Sequence, residues 1–346
     1  MESTDVRTPT KSAPTLRALG LGFTALLSAT FCLIVLGALV RAHGAGLACP
    51  DWPLCFGQVI PEFDFKVAFE WGHRTLAGLI TSIFLATSVL VLRNGEARRA
   101  VGRLLPLAVV ILALQILLGA LTVWKLLAYW SVTSHLLAGN AYAVLLLLMA
   151  RALMEAAEPA PRAAVPTTRP IRLLSAATLG LLILQVGLGG LVSSLYAGLA
   201  CPDWPMCANG QFAPTLLGPQ GVHVLHRLAA YSLILLLALS AWQTRGVPRL
   251  GYWHAVALLI GIAQLIVGIA NVLLLIPAEV TGLHSALAAA LVLALAMANR
   301  EAWRGAAADG IAVGSSGQSP KAPAGWPSAD AVTASRRSSA LPDRGL

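Results

Sequence analysis

The stretch GALVRAHGAGLACPDWPLC, Gly37–Cys55, recurs as GGLVSSLYAGLACPDWPMC, Gly189–Cys207. The offset of 152 residues holds through Cys49/Cys201 and Cys55/Cys207, and GLACPDWP is identical in both copies. Further matches keep nearly the same spacing. HRTLAG at His73 pairs with HRLAAY at His226, 153 residues on. LQILLGA around Gln115 pairs with AQLIVGI around Gln264, and His135 with His284, both 149 residues on. This is the signature of a duplicated unit.

The copies lie in apolar sequence. Eight runs are each long enough to cross a bilayer as a helix: Leu19–Val40, Phe69–Leu92, Leu104–Trp124, Trp130–Leu153, Leu173–Leu195, Val222–Trp242, Tyr252–Ile276 and Val280–Ala298. Of 346 residues, 57% are hydrophobic and 11% charged, against roughly 25% charged in soluble domains. With a mean hydropathy of +0.76, that excludes a soluble globular enzyme and a disordered chain. The formal charge of +9 is scattered through short loops. It fits orientation in a lipid bilayer and leaves no nucleic-acid footprint. The first run is too long for a signal-peptide core and lacks a small-residue cleavage site, so it reads as a retained span.

Outside the C-terminal tail, fifteen Lys and Arg residues fall on one side of this arrangement. Five (Arg41, Lys66, Arg74, Lys125 and Arg227) fall on the other. Both termini are therefore expected in the cytoplasm. The expected organisation is a cytoplasmic tail over 1–17, a four-helix half over 18–153, a proline-rich linker over 154–171, a second four-helix half over 172–304, and a disordered tail over 305–346. Four spans per copy is an even number, so both copies face the same way. The fold class is an all-α polytopic membrane protein of eight transmembrane helices. It is read as two tandem four-helix bundles related by a pseudo-two-fold along the membrane normal.

Four of the seven histidines belong to the repeat: His73, His135, His226 and His284. Each lies a few residues into an even-numbered span, so all four sit at a similar shallow depth on the outer side. Each half offers two imidazoles at one level, as a bundle does when it holds a haem by two axial histidines. Simple hydrogen bonding within the bundle is the plain alternative. Zinc would need further Cys, His or carboxylate ligands, and the paired cysteines lie in loops at another spacing. His43 and His254 lie at span ends without counterparts and read as interfacial bystanders.

Glu70 and His223 stand three residues before His73 and His226, on the same helix face. A carboxylate beside a haem pocket can move a proton or stabilise a developing cation; the alternative is a first-turn acid at the water interface. Arg41, Arg74 and Arg227 are candidate partners for haem propionates, though arginines also anchor span ends. Cys49/Cys55 and Cys201/Cys207 fall in outward loops, an oxidising compartment in a bacterium. A disulfide within each pair would close a short loop over the histidine level, as a structural clip or as a thiol–disulfide redox pair. Cys32 reads as packing within the first span. Gln115, Gln185 and Gln264 are the main polar residues deeper in the spans.

From Leu19 to Arg304 the chain resembles the haem A synthase family. The resemblance rests on eight spans in two halves, GAGLACPDWPLC after the first, Glu70-x-x-His73-Arg74, and His135, His226 and His284. It implies oxidation of the C8 methyl of haem O to a formyl group, giving haem A for terminal oxidases. It implies that the half with Glu70, His73 and His135 receives haem O, and that His226 and His284 hold a permanent haem b. Paired cysteines in both loops are not found in every member. Expected partners are haem O, the membrane enzyme that makes it, oxidase assembly factors and the bilayer of the bacterial inner membrane; a homo-oligomer is compatible with this reading. The first rival is a dihaem membrane cytochrome b that only passes electrons. The second is a transporter, which the crowding of polar groups at the outer end disfavours.

Overall fold

The computed structural model describes residues 12–159 and 167–315. Residues 1–11, the middle of the linker (160–166) and the tail from 316 lie outside the described residues. Nine α-helices are described: α1 Ala13–Ala42, α2 Phe65–Arg93, α3 Gly95–Val101, α4 Leu104–Trp124, α5 Tyr129–Ala156, α6 Arg169–Ser194, α7 Gly218–Thr244, α8 Leu250–Leu273 and α9 Ala278–Ser315. All but α3 are long and apolar enough to span a membrane, so the chain is an all-α polytopic membrane protein. α9 continues past Gly305, where the tail was expected to begin, to Ser315.

Local chemistry sets the helix ends. Asp64 caps α2, its Oδ1 accepting from the Lys66 N–H at 2.9 Å and the Val67 N–H at 3.2 Å. Asn94 caps α3 by accepting from the Ala97 N–H at 2.9 Å, and Gly102 stops it at φ +50°. The turns into α5 and α9 repeat one another. Leu126 and Leu127 in one, and Leu275 and Ile276 in the other, all take positive φ. Matching hydrogen bonds run from Leu127 N–H to Thr122 O (2.8 Å) and from Ile276 N–H to Asn271 O (2.7 Å).

Two hydrophobic cores lie under these ends. The first joins α1, α2, α3, α4 and α5 around Phe23, Phe84, Leu146 and Met149, with Phe84 edge-on to Phe23 and Tyr142. The second joins α6, α7, α8 and α9 around Leu182, Leu237, Leu250 and Leu295. Gly190 brings α6 against Thr133 and Leu136 of α5, where a Cβ would meet atoms at 3.0–3.2 Å. At the opposite end from the histidines, Arg300 grips Glu155 with both Nη atoms, at 3.0 and 2.6 Å. Arg304 adds a third contact to Glu155 at 3.0 Å. This fork ties α9 to α5 with charge-assisted bonds.

Candidate active site

The four repeat histidines enter the structure in matched positions. His73 and His226 are the ninth residues of α2 and α7, and His135 and His284 the seventh of α5 and α9. At about 1.5 Å rise per residue, all four lie within roughly one turn of the same depth. His73 and His135 are near enough to interact electrostatically, and so are His226 and His284. Each ring turns its Cε1 edge to a glycine of the preceding span. A Cβ at Gly37, Gly119, Gly189 or Gly268 would stand 3.0, 3.1, 3.1 or 2.9 Å from Cε1 of His73, His135, His226 or His284. A larger residue there would crowd the imidazole and make it shift.

Beside the rings, Glu70 and His223 are almost fully enclosed, at 5% and 4% exposure. Glu70 Oε1 accepts from Arg74 Nη2 at 2.5 Å, and Oε2 accepts from the backbone N–H of Cys49 at 2.8 Å. His223 uses both ring nitrogens: Nδ1 on Ala197 O at 2.9 Å, and Nε2 on Arg227 Nε at 3.2 Å. The anion of the first half and the imidazole of the second thus fill equivalent places against the loops above them.

Those loops are closed by the Cys49–Cys55 and Cys201–Cys207 disulfides, as the sequence suggested. Arg74 and Arg227, candidate partners for propionates in the sequence, lie under the loops. Arg74 Nη1 donates to Asp51 O (2.6 Å) and Leu54 O (2.7 Å), and Nη2 to Cys49 O (3.2 Å). Arg227 repeats this on Asp203 O (2.9 Å), Met206 O (3.1 Å) and Cys201 O (2.7 Å). A rigid guanidinium fork suits three converging carbonyls. Asp51 tightens the first loop by accepting from Phe56 N–H (2.7 Å) and Gly57 N–H (2.8 Å). The Gly57 N–H leads in holding its carboxyl below the usual carboxylate range.

Arg41 reaches across the halves, its Nη1 on Tyr196 Oη (2.8 Å) and Nη2 on Ser193 O (3.0 Å). Two expectations need correction. His254 is no interfacial bystander: it is wholly buried and hydrogen-bonded to Ser175 Oγ (3.3 Å) and Thr244 Oγ1 (3.1 Å). The start of α8 packs against α6 and α7 there, and the two hydroxyls satisfy the ring. Cys32 does not pack inside; it is exposed on α1, where a thiol is apolar enough to face lipid. His43 does sit at a span end, stacked on Phe69 at 4.9 Å. Sequence reading left Gln115, Gln185 and Gln264 without a role. Their amide nitrogens stand 3.4, 3.4 and 3.2 Å from Nε2 of His135, His226 and His284.

The donor set fits a haem better than a small ion. Each half brings two imidazoles to a similar depth, and no group of three or more His, Cys, Asp or Glu that could hold a metal ion occurs among the described residues. Nδ1 of His73, His226 and His284 and Oε1 of all three glutamines are buried without a partner. Such orphans are rare in a finished interior and mark a ligand site. The family described as cytochrome oxidase assembly protein, COX15-CtaA, matches residues 22–64 and 60–296. The chain belongs to this family. A relative from Shewanella oneidensis named Heme A synthase is 32% identical over 320 residues, covering 79% of this chain and 93% of its own. Relatives of the same name from Halalkalibacterium halodurans and Symbiobacterium thermophilum are 29% and 31% identical. They cover 70% and 66% of this chain and 82% and 75% of theirs.

Proposed function

We propose that the protein is a haem A synthase, an oxidoreductase that converts the C8 methyl of haem O to a formyl group through an alcohol. The observation that carries the reading is a pair of matched two-histidine sets, with buried Glu70 beside the first where buried His223 stands beside the second. His73 and His135 would hold the substrate haem, with Glu70 beside them; His226 and His284 would hold a resident haem b, with neutral His223 in the equivalent place. The cofactor would supply a path for electrons, and four leave the substrate carbon in going from methyl to aldehyde. Glu70 acts on that carbon's side of the reaction. Its charge stabilises positive character developing there, and its oxygens can accept a proton.

Arg74 and Arg227 hold the disulfide loops over the two sites and limit water entry. Arg41, Arg74 and Arg227 remain the proposed propionate partners, the last two by exchanging a loop carbonyl for a carboxylate. The positive-inside distribution supports cytoplasmic termini in a bacterial inner membrane. The reading is tested by expressing the chain with a haem O source in membranes that make no formyl haem. Haem A should accumulate. Haem O left unchanged under every redox condition would favour a dihaem cytochrome b.

Two further outcomes follow from the geometry. Gly268→Ala sets a Cβ 2.9 Å from the His284 ring, an overpacking that should weaken haem retention in the second half about tenfold. Haem content after detergent washing measures it. Cys49→Ser removes about 2 kcal/mol of loop closure, but the three Arg74 bonds still hold the loop. Expression and haem b should therefore stay near normal while retained substrate falls. Loss of all haem together with expression would make the loop a folding element.

A further inference from the structure

The end of the molecule opposite the histidines carries a charge cluster that the proposed chemistry does not use. Arg151 and Glu155 of α5, Arg249 at the start of α8, and Arg300, Glu301 and Arg304 of α9 meet at the seam between the halves. The two carboxylates lie inside, with side chains 16% and 9% exposed. Arg151, Arg249 and Arg304 lie outside them, at 32%, 34% and 26%. Four guanidiniums and two carboxylates leave these six side chains a net charge of +2, with the cationic groups outermost. Arg151 Nη2 stands 3.6 Å from Glu155 Oε1, longer than a hydrogen bond, and Arg151 Nε is buried without a partner.

The same helix faces turn apolar one turn deeper. On α8, Trp253, Val256 and Ile260 follow Arg249 at i+4, i+7 and i+11. On α9, Met297, Arg300 and Arg304 follow Leu293 at the same spacings, and on α5 Leu147 stands four residues before Arg151. These apolar side chains, with Phe31 of α1, line a crevice of about 200 Å³ between the halves, and every residue lining it is apolar. At about 1.5 Å rise per residue, the crevice begins roughly 6 Å from the arginines and extends to roughly 16 Å.

We propose that this seam binds one anionic phospholipid, with its phosphate at Arg151, Arg249 and Arg304 and one acyl chain in the crevice. The ligand must be an anion joined to an apolar tail, because both features lie along one line on three helices. Guanidinium groups hold phosphate oxygens by charge-assisted bonds. Basic pockets between spans suit lipid head groups in the cytoplasmic leaflet, the side on which these arginines are expected. A free phosphate would satisfy the cluster and leave the crevice unfilled. A zwitterionic lipid would fill the crevice but bring its own cation up to the arginines. The bound lipid would join α5 of the first half to α8 and α9 of the second, beside the Arg300–Glu155 fork. The inference stands apart from the haem assignment.

The test uses the full chain purified in a neutral detergent, with bound lipid counted by native mass spectrometry. The probes are dioleoylphosphatidylglycerol, dioleoylphosphatidylcholine and inorganic phosphate. One phosphatidylglycerol should be held about tenfold more tightly than phosphatidylcholine, and equimolar inorganic phosphate should not displace it. Arg151→Gln should weaken its retention about fivefold, the scale of one basic residue at an anionic surface. Ala290→Leu fills the crevice that Ala290 lines, changes no charge, and should weaken retention by a similar factor. Arg93→Gln, on the same side at the end of α2, controls for general surface charge and should change nothing. Equal retention of the two lipids, or equal weakening by Arg93→Gln and Arg151→Gln, would overturn the proposal even if Ala290→Leu fails to fold. Undiminished retention in a folded Ala290→Leu chain would overturn it by removing the acyl chain from the crevice. Displacement by equimolar inorganic phosphate would overturn it by leaving a site for a free anion.

Discussion

Glu70→Gln should leave both haems bound and slow the conversion of haem O by about 10²-fold, or arrest it at the alcohol. Glutamine matches glutamate in size, and its carbonyl can still accept the Cys49 N–H that now lies 2.8 Å from Oε2. The negative charge facing Arg74 is lost. If Glu70 only clamped the loop, its removal would resemble Cys49→Ser, with substrate lost and the chemistry of what remains unchanged. Separate measurement of bound haem O and of product distinguishes these outcomes. Normal haem A output would remove the catalytic role and leave an enclosed ion pair under a loop.

His226→Ala should act on the other half. It removes one of the two imidazoles that would hold the resident haem, so haem b content should fall by more than about tenfold. The second core around Leu182, Leu237 and Leu295 does not involve this ring, so the folded chain should still accumulate in the membrane. Haem O binding in the first half should persist. Turnover should stop for want of an electron path. Retention of haem b with loss of haem O would reverse the assignment of the halves.

The eight spans, the duplicated histidines and the paired cysteines were legible because each leaves a one-dimensional mark. Apolar runs of bilayer length and an offset repeating near 150 residues need no knowledge of contacts. The short helix α3, GEARRAV, was missed because seven residues rich in charge carry no apolar period. Its signals were Asn94 before it and Gly102 after it. The clamps made by Arg74 and Arg227 depend on loop carbonyls twenty or more residues away in the chain. His254 looked peripheral because a span end in sequence need not be a surface in a packed bundle; Ser175 comes to it from another helix, 79 residues away. The glutamines could have been found. Gln-x-x-x-Gly stands in three odd spans, visible in the letters alone.

The most direct measurement of the central claim is the identity and ratio of the haems bound to the chain purified after expression with a haem O source. Two different sites predict one equivalent of haem b and one of haem O or its oxidised products. His226→Ala should lose only the former and His73→Ala only the latter. Two equivalents of haem b, with no haem O, alcohol or formyl haem under any condition, would contradict the account.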